Sequence, residues 1–73
     1  MAFSVEERLA ALEYVAAANM AADMKTRMEV AGYSREQTIE VAGAYPDEPE
    51  FEAVNVIVRL ATKMLDERLA EER

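Results

Sequence analysis

The chain has 73 residues, no Cys, no His, and a formal net charge of −7 from 8 basic and 15 acidic side chains. This composition excludes disulfides, thiolate nucleophiles and imidazole bases, argues against a structural zinc site, and opposes nonspecific attraction to DNA, RNA or anionic membranes. With 52% hydrophobic residues the chain is too apolar for an acidic disordered tail, yet one core of this size rarely supplies more than roughly 3–5 kcal/mol, so oligomerisation or very regular helix packing is needed beside it.

The first element announces itself at Ser4-Val5-Glu6-Glu7. Ser4 is placed to accept from the Glu7 backbone N–H while the Glu7 side chain reaches back, a capping box, and Gly32 is a natural left-handed C-cap, so a helix is predicted over 5–31. At 100° per residue, Val5, Leu9, Leu12, Ala16 and Met20 form one stripe that runs on into Asp23, Arg27 and Val30. A second stripe holds Ala10, Tyr14, Ala17, Ala21, Met24 and Met28, and Ala11, Ala18 and Ala22 line a third side. From Tyr14 to Met24 apolar atoms therefore point in almost every direction, and the alanines let a neighbouring backbone come close. Asn19, Asp23 and Arg27 recur at four-residue spacing beside the first stripe, where polar residues in an apolar seam fix register and oligomeric state.

Ser34 and Gln37 repeat the capping box and open a short helix over 35–42 that stops at Gly43. The stretch GYSREQTIEVAG, residues 32–43, resembles the first part of a helix-turn-helix. In that motif the next helix enters the major groove, but here it is led in by PDEPEFE, which sets four carboxylates where phosphates would lie, and DNA binding is not expected.

The third helix is predicted over 48–71. Asp47 or Glu48 caps it, Pro49 falls in the first turn where a missing N–H costs nothing, and Glu50 favours the positive helix end. Its apolar face, from Ala53, Val54, Ile57 and Val58 through Leu60, Ala61, Met64, Leu65 and Leu69, spans about half the circumference. The fold expected for 1–73 is a single all-α domain with two long helices joined by a short one, a hairpin-like protomer. Ile39, Val41 and Ala42, with Tyr33 and Tyr45 from the flanking turns, are too few to cover both long helices. Self-association is therefore expected, most simply a homodimer forming a four-helix bundle through Leu9, Leu12, Ala16, Asn19, Met20, Asp23 and Arg27 of the first helix and Ile57, Ala61 and Met64 of the third.

No catalytic residue, metal ligand or cofactor site is expected. Ser4 and Ser34 serve as caps, the threonines have no imidazole to activate them, and the two glycines are isolated terminators instead of a phosphate cradle. The acid pairs Asp47/Glu50, Glu36/Glu40, Glu48/Glu52 and Glu67/Glu71 lie in caps or polar stretches. Asn55, Arg59 and Lys63 share the polar side of the third helix and suit an anion, although a solvated face with Lys63 paired to Glu67 is the far commoner arrangement of such residues. Dipole stabilisation needs one or two acids at a helix start. The cluster of Asp47, Glu48, Glu50 and Glu52 beside Tyr45 and Phe51 exceeds that and suits the basic surface of a partner protein.

The function expected is that of a small acidic, non-catalytic, homo-oligomeric regulatory module that binds a partner protein. Two alternatives are a stoichiometric inhibitor of a nucleic-acid-handling enzyme, acting as an acidic nucleic-acid mimic in the manner of virus-encoded counter-defence or anti-CRISPR proteins, and a helical oligomer that binds a small anionic ligand. The lack of Cys fits a reducing cytosol, residues 1–20 lack the pattern of a secretory signal, and no segment approaches the roughly 18 uninterrupted apolar residues of a membrane span, so a cytoplasmic protein is expected.

Overall fold

In the computed structural model, which describes residues 2–72, the chain forms α1 (Val5–Ala31), α2 (Arg35–Ala42), α3 (Pro49–Glu52) and α4 (Val54–Glu71), with no strand among the described residues. Both capping boxes form. Ser4 Oγ accepts from the Glu7 backbone N–H at 3.1 Å and the Ser4 N–H donates to Glu7 Oε1 at 3.2 Å; the Ser34/Gln37 pair repeats this at 3.1 and 2.9 Å. Gly32 ends α1 at φ 72°, ψ 21°, where a β-carbon would be strained. Gly43 ends α2 at φ −94° and donates its N–H to the Ile39 carbonyl, so it needs no left-handed conformation.

The third predicted helix is interrupted. Around Ala53 the i→i−4 ladder gives way to tighter bonds, from the Phe51 N–H to the Glu48 carbonyl at 2.9 Å and from the Val56 N–H to the Ala53 carbonyl at 3.2 Å. Glu48 occupies the N-cap with no side-chain capping bond, and Pro49 follows it. The break falls next to the β-branched run Val54, Val56, Ile57 and Val58, which loses side-chain freedom in a helix. It separates a one-turn helix carrying Phe51 from the 18-residue α4.

The core lies between α1 and α4. Ala17, Ala21 and Met24 of α1 meet Ala61 and Leu65 of α4, all at most 1% exposed, with Ile39 and Ala42 of α2 and Met20, Met28 and Met64 packed around them. Alanines at the contact bring the two helix axes close, since interaxial distance follows side-chain size. α1 therefore buries Ala17, Ala21 and Met24 of its second stripe, while Ala10 and Tyr14 of that stripe stay exposed and Met20 of the first is half-buried.

Polar links complete the packing. The Arg35 guanidinium donates through Nε and Nη2 to the two carboxylate oxygens of Asp66 at 2.6 and 2.9 Å, tying α2 to α4. Lys25 pairs with Glu72, joining α1 to the end of α4. Thr38, 1% exposed, donates its hydroxyl to the Ser34 carbonyl at 2.8 Å.

The shape leaves much surface uncovered. The extents are 44 × 32 × 15 Å, and one helix with its side chains is already about 10–12 Å across. A compact chain of this length has a radius of gyration near 11 Å, against 13.7 Å here. A compact monomer of this mass exposes about 4,500 Å², against 5489 Å² here. No helix among the described residues is long and apolar enough to cross a membrane.

Candidate functional site

Packing stops halfway along α1. From Val5 to Ala16 every residue is exposed except the half-buried Glu13, so the first three turns project beyond the core with both sides open. Val5, Leu9, Leu12 and Val15 are 64, 52, 67 and 55% exposed. Such a row on one helix is the kind of contiguous apolar patch that marks an interaction surface.

The residues expected to mediate self-association divide accordingly. Leu9, Leu12, Ala16 and Asn19 lie exposed on α1, and Met20 is half-buried at the edge of the core. Asp23 and Arg27 are exposed and bonded to each other at 2.9 Å, which raises the Arg27 guanidinium pKa. They border a cleft of about 190 Å³ between α1 and α2, with Met24, Thr38 and Tyr45 among its other walls. Ile57 and Met64 are half-buried against the core. Ala61 is a correction: it is 0% exposed and packed in the core with α1 of its own chain, where a small side chain favours close helix approach, and it has no surface left for a second chain.

The turn after α2 gathers the expected partner-binding residues. The rings of Tyr45 and Phe51 stack with centroids 6.0 Å apart and planes 19° from parallel. Asp47, Glu48, Glu52 and Asn55 surround them and line a hollow of about 120 Å³. Glu50 does not border this hollow. It is exposed on the one-turn helix. Asn55 thus borders the acidic corner as well as lying one turn from Arg59 on α4. Arg59 and Lys63 are exposed, and among the described residues neither forms an ion pair, so the expected Lys63–Glu67 pair is not made. Among the described residues no three acidic side chains converge where they would hold a metal ion.

Three features escaped the sequence reading. The Arg35–Asp66 fork joins residues 31 apart, a separation with no local signature, and the guanidinium holds the Asp66 carboxyl below the usual carboxylate range. Glu72 raises the Lys25 pKa in the same way. Thr38 is buried in a polar stretch where Glu36, Gln37 and Glu40 are exposed; its four-residue spacing from Ser34 was the available sign, because a threonine that bonds back to the preceding turn can be buried without an unsatisfied hydroxyl. In comparisons with known proteins the chain matches no family model, no curated protein and no solved structure.

Proposed function

We propose that this chain is a non-catalytic, homo-oligomeric interaction module that binds a partner protein carrying a basic surface. The observation that supports it most is the apolar row on α1, Val5, Leu9, Leu12 and Val15, each more than half exposed. A second copy covers that row, and the long helices of the two chains assemble into a helical bundle. The acidic corner is left free for the other partner. There the stacked Tyr45 and Phe51 supply contact area at low entropic cost, and Asp47, Glu48 and Glu52 around them supply the charge.

The mimicry of nucleic acid by the acidic corner is the second reading, supported by the same cluster and by the net charge of −7. Both readings place the partner's cations at one corner. Reversal of Asp47, Glu48 and Glu52 to Lys is expected to abolish capture of a specific partner from the native host while helicity by circular dichroism stays unchanged. Undiminished capture by the reversed variant contradicts the assignment of this corner. Competition by short DNA or RNA for the captured partner distinguishes the mimic, which nucleic acid displaces, from a regulator that binds elsewhere on its target.

A further inference from the structure

The open face of α1 has a spacing that specifies how a second copy would lie on it. Val5, Leu9, Leu12, Ala16 and Asn19 follow one another at alternating intervals of four and three residues, the 3.5-residue repeat that keeps one seam facing a partner helix. All five are exposed. The seam ends there, since Met20, Asp23 and Arg27 border the cleft beside α2.

We propose that this face forms a parallel two-stranded coiled coil with the same face of a second copy, an inference that rests on the self-association proposed above. Flanking charges select the direction. Arg8 precedes the seam residue Leu9, and Glu13 follows the seam residue Leu12, five positions further on. In a parallel pair these flanking positions face each other across the seam, so Arg8 of each copy lies beside Glu13 of the other, twice by symmetry. The next such pair is Val15 with Met20, which is apolar. An antiparallel pair sets like flanks together and brings Glu6 and Glu13 of the two chains onto one side, carboxylate against carboxylate. Among the described residues neither Arg8 nor Glu13 has an ion-pair partner in its own chain.

Length and area are consistent with this. A short coiled coil is marginal when its helices must first form, because nucleation is costly. Here each strand is already helical, capped at Ser4 and continuous with the buried turns at Ala17, Ala21 and Met24. The chain exposes 5489 Å², roughly 1,000 Å² above a compact monomer, and a standard interface covers about 800 Å² per partner.

The full chain contains no cysteine, so one introduced at Ala2, exposed ahead of the seam, reports direction unambiguously. In a glutathione redox buffer, Ala2→Cys is expected to become a covalent dimer at equilibrium, because a parallel seam sets the two thiols side by side. An antiparallel seam centred on Leu9 and Leu12 separates the two sites by about 25 Å, far beyond the roughly 7 Å limit between disulfide-bridged α-carbons. A reduced protein that is dimeric by light scattering but stays uncrosslinked overturns the parallel seam and leaves self-association standing. A monomer overturns both. Independently, Arg8→Glu is expected to weaken dimerisation about fivefold to tenfold, as two exposed ion pairs are replaced by like charges across the coiled coil, and Arg8→Glu with Glu13→Arg is expected to restore it. Equal affinities for all three proteins contradict the pairing.

Discussion

Leu65 and Leu12 are the same residue type in two environments, one 0% and the other 67% exposed. Burial of a leucine is worth about 1.5–3 kcal/mol, and truncation adds a cavity term, so Leu65→Ala is expected to cost roughly 2–5 kcal/mol of stability. Of the six apolar side chains buried among the described residues, three are alanines, which contribute little transfer energy, so a loss of this size removes most of the fold's margin. Thermal unfolding at concentrations low enough to keep the chain monomeric checks this. Under those conditions Leu12→Ala is expected to change stability by at most about 0.5 kcal/mol, because its side chain stays in water in the single chain. Equal losses for the two variants would mean that the monomer has another use for Leu12.

Among elements, what could be read from the sequence was whatever is fixed locally. Ser4 with Glu7 and Ser34 with Gln37 start α1 and α2 because each capping box is complete within four residues, and Gly32 takes the left-handed conformation that few other residues tolerate. The break at Ala53 was not legible, since nothing in residues 49–57 forbids a helix and the turn instead accompanies the stacking of Phe51 on Tyr45. Nor was it legible that Ala17, Ala21 and Met24 would make the contact of α1 with α4, because both stripes are apolar; small Ala17 and Ala21 opposite Ala61 suit a close approach. The Arg35–Asp66 fork couples α2 to α4 and carries an element-level prediction. Hydrogen bonding to Arg35 lowers the Asp66 pKa in the folded state, so the folded protein releases this proton more readily than the unfolded chain. Its contribution is full above the unfolded carboxylate pKa of about 3.9 and is lost as pH falls through the lower folded value. Asp66→Asn is therefore expected to melt below the wild type at neutral pH, with the gap closing in acid. A gap that stays constant down to the acid limit would contradict an ionic role for the fork. Both side chains are about 40% exposed, and solvent screening keeps the effect modest.

At the scale of the whole molecule, the sequence had more apolar surface than a single copy of its helices can cover, and the fold makes the location of the excess specific. One half of α1 anchors α4 and α2, and the other half, with Leu9 and Leu12 on its open side, projects from a body 15 Å thick. The acidic corner formed by Tyr45, Phe51 and their carboxylate neighbours lies on other elements, so covering the arm leaves it accessible. Under the proposed function the two surfaces have separate roles, one for a copy of the chain and one for a cationic partner. The most direct test is the mass of the intact chain by multi-angle light scattering across a dilution series from submillimolar to micromolar. A species of twice the 8.2 kDa chain mass that dissociates on dilution is predicted. A mass of 8.2 kDa at every concentration would contradict the proposal that a second copy covers the open face of α1.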